Sequence, residues 1–173
     1  YTVHNSALVM IPIYFIARME PWSKNIYRVL VLFLIGMIFY GPLMSIIGQI
    51  NDKAATYAND FNEGGANILR VIIYVVPVVF AFIKKDEIKK IWPDSRIFIN
   101  ISLINLIIMM FSLYNWIFAR FNIYTQAYTF ILLSNIILQC LKGKERRLIY
   151  YGLLVCYFVF IIFEYKISMG IVY

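Results

Sequence analysis

The residues best suited to chemistry gather in and around one polar stretch, residues 51–70, NDKAATYANDFNEGGANILR. It holds Asp52, Lys53, Tyr57, Asp60, Glu63 and Arg70, and a later apolar run opens on Arg120 with Tyr124 four residues on. Arginine is always charged, and its planar fork matches two phosphate oxygens at once. Lys53, Arg70 and Arg120 together are therefore suited to hold a pyrophosphate. His4, the single histidine, titrates near neutral pH and is the first candidate for a general base. Asp60 and Glu63 are the second candidates, three residues apart and so on one face if that stretch is helical. Tyr57 and Tyr124 can stack on the apolar faces of sugars. Each residue also has an ordinary explanation. Arginine at a helix end snorkels to the headgroups, loop carboxylates are solvated, and tyrosines anchor interfaces.

The elements that must position these residues are apolar. The chain is 62% hydrophobic and 14% charged, against roughly 45–50% and 25% for a soluble domain. A chain of 173 residues cannot hide that much apolar surface in one water-soluble core. The expected fold is all-α: a single polytopic membrane domain with about six transmembrane helices, at residues 5–17, 26–49, 68–83, 97–119, 123–141 and 148–165, as the length of a bilayer-crossing helix requires. The chain starts at Tyr1 beside a short apolar run and ends on Ile171-Val172-Tyr173. It reads as a fragment of a longer polytopic protein, with further spans before Tyr1. Arg120-Phe121-Asn122 reads as a tight turn between the fourth and fifth spans. Gly64-Gly65 lets the backbone bend sharply as the polar stretch ends. Residues 84–96 read as a short surface helix, with Ile88, Ile91 and Trp92 on one face. Pro42 and Pro77 lie inside spans, where a proline leaves a carbonyl that needs another donor.

Lysine and arginine counting sets the orientation. Twelve of the sixteen basic residues fall in the loops near residues 18–28, 84–96 and 142–147, and four, Lys53, Arg70, Arg120 and Lys166, fall on the other side. The richer side is cytoplasmic. The loop at residues 50–67 then faces outward, and the net charge of +7 is a topology signal rather than a nucleic-acid footprint. Asn100, Asn105, Gln126 and the other span amides are read as interhelical hydrogen bonds in preference to a polar path. Cys140 and Cys156 are read as buried free thiols. There is no P-loop, no dinucleotide fingerprint and no cluster of metal-ligating residues in the sequence, and no charge lies mid-span. A carrier of lipid-linked saccharides and a non-catalytic membrane component remain open as alternatives.

His4-Asn5-Ser6 opens a span, a long outer loop follows with a tyrosine and basic residues, and later comes ARFNIYTQAYTFILLSN at residues 119–135. In these features the chain resembles the bacterial exopolysaccharide polymerases of the EpsG type, a Wzy-like group. It departs from the family pattern at Ser134, where proline is common, and at Lys53, where an arginine often stands just ahead of a tyrosine. The resemblance implies transfer of a growing glycan from its polyprenyl pyrophosphate onto another lipid-linked repeat unit, at the outer face of the bacterial cytoplasmic membrane. It implies no cofactor and no nucleotide sugar. The implied partners are the polyprenyl-pyrophosphate-linked oligosaccharide, membrane lipid, and a flippase and chain-length regulator of the same pathway. Arg120 and Arg70, with Lys53, would hold the pyrophosphate, and His4, or else Asp60 or Glu63, would deprotonate the acceptor hydroxyl.

Overall fold

The computed structural model describes residues 10–48, 65–114 and 117–168. Among them the chain forms seven α-helices and no strand: α1 Met10–Ala17, α2 Lys24–Gly48, α3 Ile68–Ile83, α4 Lys85–Ile91, α5 Ser95–Ser112, α6 Ile117–Cys140 and α7 Gly143–Phe163. A π-helical turn, Glu164–Ser168, continues α7.

The helix at the centre is α5, SRIFINISLINLIIMMFS, which is apolar on all sides. A helix without a polar face has to be surrounded, and α1, α2, α3 and α6 pack against it. Most of its polar side-chain atoms are matched, the exception being Asn100 Oδ1. Ser102 and Ser112 donate back to the carbonyls of Phe98 and Met109 at 2.7 and 2.6 Å. Asn100 donates to the last two carbonyls of α1, those of Ile16 and Ala17, at 3.2 Å each, and to that of Met19 just beyond the helix at 2.6 Å. Those carbonyls have no partner within their own helix, so one amide closes α1 and fastens it to the core. Asn105 binds Thr125 and Thr129 on α6. Interhelical hydrogen bonding is thus what Asn100 and Asn105 do.

Ser95–Ser112 and Gly143–Lys166 are each long and apolar enough to cross a membrane. The first is mostly enclosed by neighbours, but only 6% of the second is buried. Leu148, Leu154, Phe158 and Ile162 of α7 all stand exposed. Cys156, on the same helix, is exposed rather than buried, because α7 packs little of its surface; Cys140 is half-buried, and both thiols are free.

Several boundaries differ from the pattern expected from sequence. Arg120, Phe121 and Asn122 lie within α6, and the chain turns earlier, just after Ser112. No glycine or proline stands at 120–122 to interrupt the helix, and arginine is a good helix former. The basic run at 142–147 is not a loop, since Gly143 begins α7. The surface helix near residue 88 is present as α4, with Ile88 buried and Ile91 exposed. Gly65 also has a different purpose from bending. A Cβ there would lie 1.7 Å from the Leu113 carbonyl oxygen, so the position demands space. The neighbouring Ala66 amide donates to Ser112 at 2.6 Å, which pins the approach to α3 against the end of α5.

Candidate functional site

One end of the helix bundle gathers the start of α3, the end of α5, the start of α6 and the end of α7. Asn67 caps α3, its side-chain oxygen accepting from the Leu69 amide at 2.9 Å. Arg70 follows in the first turn. A cation is poorly placed at a helix N-terminus, where the backbone dipole is positive. Glu164 supplies the compensating charge. Arg70 Nε donates to Glu164 Oε1 at 2.7 Å, and Nη2 reaches the same oxygen. Glu164 is the first residue of the π-helical turn that follows α7. Such widened turns recur at functional sites.

One turn along α3, Tyr74 lies on the same face as Arg70. Asn122 of α6 donates to the Tyr74 hydroxyl at 2.6 Å and to Gln126 Oε1 at 3.3 Å. The Tyr74 hydroxyl donates to Gln126 Oε1 at 3.4 Å. Behind it, the Tyr74 ring packs near Phe130, with centroids 6.0 Å apart. A cavity of about 160 Å³ lies between these helices, lined by Arg70, Tyr74, Met109, Ala119, Asn122, Phe160 and Glu164. Two acceptors, Glu164 Oε2 and Asn122 Oδ1, are buried without a hydrogen-bond donor among the described residues. Buried polar atoms are almost always paired; these two orphans share one small cavity, whereas the other two among the described residues, Trp22 Nε1 and Asn100 Oδ1, lie away from it.

A larger cavity, about 470 Å³, opens at the opposite end, near Trp22, α4 and the start of α5. Its charged lining is mixed: Glu20, Asp86 and Asp94 against Lys85, Lys89 and Arg96. Three charges of each sign leave no net field to select a charged ligand. Just outside α3 at this end, the Glu87 carboxylate, hydrogen-bonded at 3.1 Å, holds the Lys84 ammonium above the usual lysine range.

Of the residues singled out from sequence, His4, Lys53, Tyr57, Asp60 and Glu63 lie outside the described residues. Arg70 is at the cavity but engaged with a carboxylate. Arg120 is exposed on α6, on the face next to Ala119 and outside the cavity lining, and Tyr124 is half-buried one turn further on. Glu164, Tyr74 and Asn122 were not among the candidates. A signal for Glu164 did exist: it is the one acidic residue after Glu145, at the far end of an apolar helix from the basic run. Among the described residues no three His, Cys, Asp or Glu side chains gather closely enough to hold a metal ion.

Among the described residues, the fold and the site together define an all-helical protein with long apolar helices, one of which leaves its apolar surface outermost, and with a partly buried ion pair and a cavity gathered at one end. The chain belongs to the EpsG family, whose family model matches residues 1–172. No curated protein and no solved structure matches it.

Proposed function

We propose that the chain is a multi-pass protein of the bacterial cytoplasmic membrane that polymerises polyprenyl-pyrophosphate-linked repeat units into exopolysaccharide. Family membership supports the polymer class. The single structural observation that carries the reading is the polar cavity beside Arg70 and Glu164, at the end of the bundle where basic residues are few. The exposed apolar surface of α7 and the segregation of charge support the membrane placement. Arg18, Lys24, Lys84, Lys85, Lys142 and Lys144 belong to the opposite end, which is the cytoplasmic end by the positive-inside rule.

In this reading the glycan leaves its carrier as pyrophosphate, and negative charge grows on the leaving oxygens. Cations fixed beforehand lower the barrier for that step. Arg120 is the main contact, Lys53 assists, and Arg70 contributes the edge of its guanidinium not turned to Glu164. His4, or Asp60 or Glu63, takes the acceptor proton, while Tyr57 and Tyr124 stack on sugar rings. The flippase and chain-length regulator of the pathway are the partners. The few basic residues away from the cytoplasmic side, Lys53, Arg70, Arg120 and Lys166, fall near one face in the charge count, which favours an enzyme over a carrier, since a carrier needs a polar route through the whole membrane.

Two experiments test this. Arg120→Ala in the full-length protein should abolish or strongly reduce cell-surface polymer on a gel while insertion stays normal; unchanged polymer removes the assignment. Single cysteines at Tyr57 and at the exposed Tyr114 should label from outside intact cells. Labelling only after permeabilisation inverts the topology and removes the proposal.

A further inference from the structure

The cavity at Arg70 and Glu164 has a chemical preference that can be read from what is missing in it. Glu164 is only 8% exposed. Its Oε1 is occupied by Arg70, and its Oε2 has no donor. Asn122 spends its Nδ2 group on Tyr74 and Gln126, which leaves Oδ1 without a donor. Both unmet atoms are acceptors, so the cavity lacks hydrogen-bond donors. Charge then narrows the ligand. An anion is opposed by the Glu164 carboxylate. A metal ion is opposed by the Arg70 guanidinium already seated on that carboxylate, and it would find too few oxygen ligands. A neutral group carrying O–H donors meets neither objection. The rest of the lining, Met109, Ala119 and Phe160, is apolar, as the C–H face of a sugar ring requires. A few polar groups set in an apolar wall is the usual make-up of a small-molecule site.

We propose that this cavity is the subsite for the sugar hydroxyls of the acceptor glycan, with Glu164 Oε2 and Asn122 Oδ1 as the hydrogen-bond acceptors. The assignment rests on the polymerase reading and gives it a division of labour. Arg120, Lys53 and the edge of Arg70 turned away from Glu164 face the pyrophosphate of the donor, and the cavity on the Glu164 side receives the acceptor. Arg70 holds the carboxylate in place, so Glu164 binds a hydroxyl and leaves deprotonation to another group.

The test uses the full chain in lipid nanodiscs and two probes. One is the repeat-unit oligosaccharide cleaved by mild acid from the host's own lipid-linked pool, which carries no pyrophosphate. The other is polyprenyl pyrophosphate, which carries no sugar. Ala119→Leu fills the cavity and leaves every polar group in place. Asn122→Leu removes one acceptor and spares the Arg70–Glu164 pair. Both variants should weaken oligosaccharide binding tenfold or more and change lipid pyrophosphate binding by less than threefold, which also reports that the variants are folded. Unchanged oligosaccharide binding in Ala119→Leu means that the cavity holds water only and overturns the proposal. Equal losses for the two probes, or no oligosaccharide binding by the wild-type chain, overturn it as well. The polymerase reading fails separately, if the wild-type chain does not restore polymer to a strain that lacks it.

Discussion

Two polar networks cross α6 less than two turns apart, and they are built differently. In the first, Asn105 accepts from Thr125 at 2.6 Å and donates to Thr129 at 3.3 Å, and all three side chains are fully buried. Both functions of the amide are used, and the network is closed. In the second, Asn122 and Gln126 meet Tyr74 beside the Arg70–Glu164 pair, and two acceptors are left over. Residues 122 and 126 lie on a helix face next to that of 125 and 129, so one helix presents both. Polar residues in an apolar helix therefore do not mark function by themselves. A closed network holds helices together at about 0.6 kcal/mol per hydrogen bond. An open one is destabilising until something fills it.

The sharpest way to break this distinction is to cut the ion pair. Glu164→Ala strands the Arg70 guanidinium and should destabilise the chain by about 2–3 kcal/mol. That is less than the ~3–5 kcal/mol of a fully buried pair, because the Arg70 side chain is 27% exposed and water screens part of the loss. Removing both charges, Arg70→Met with Glu164→Leu, should restore most of that stability, since apolar replacement of a buried pair is often neutral. Polymer should stay absent in both. The measurements are the temperature at which half the detergent-solubilised protein stays monodisperse, and surface polymer by gel. Polymer made by the double variant would show the open network to be structural like the closed one.

A backbone change should separate the networks by about 1–3 kcal/mol, the usual range for overpacking. Gly65→Ala forces a methyl group into the Leu113 peptide, 1.7 Å from its oxygen and 2.3 Å from its carbon. The start of α3 must move, and Arg70 and Tyr74 move with it. The contact of α5 with α6 through Asn105 does not depend on that joint. Gly65→Ala should therefore lose polymer more than it loses folded protein. Asn105→Leu should do the reverse at a smaller scale, about 1 kcal/mol. Thr125 already lies 3.4 Å from the Asn122 carbonyl, so its hydroxyl keeps a fallback acceptor. Polymer per folded molecule should stay as in the wild-type chain, and a specific loss would make the closed network part of the site.

The helical class was legible from composition, because long apolar runs leave few other ways to satisfy the backbone. The role of Asn105 was legible too, since a buried amide between apolar helices has to find a partner. Arg120 reads as a turn but lies within α6, because apolar runs end gradually in a sequence, whereas a helix ends where its backbone bonds do. The contents of the cavity were the least legible. Arg70 and Glu164 are 94 positions apart, and nothing local in either segment points to the other. Gly64-Gly65 reads as a flexible joint, but the need for space at Gly65 comes from Leu113, 48 residues on. Sequence periodicity shows which face a residue occupies and not which helix that face meets.

The smallest effect tests a third contact, between the same two helices that carry the ion pair. Pro77 has no N–H, so the Ile73 carbonyl in α3 loses its helical donor. The Tyr157 hydroxyl of α7 reaches that carbonyl at 3.3 Å. The gap in one helix is thus filled by the other, in a contact that is closed although its neighbour Arg70–Glu164 borders an open cavity. Tyr157→Phe should destabilise by about 0.5–1 kcal/mol, a fall of roughly 1–4 °C for a chain of this size, with polymer unchanged. Pro77→Ala returns an N–H to the helix, and in that background Tyr157→Phe should lose most of its effect. A double-mutant cycle reads this coupling directly. If the tyrosine is worth the same with and without the proline, its hydroxyl is not filling the gap, and the α3–α7 contact rests on the ion pair and ring packing alone.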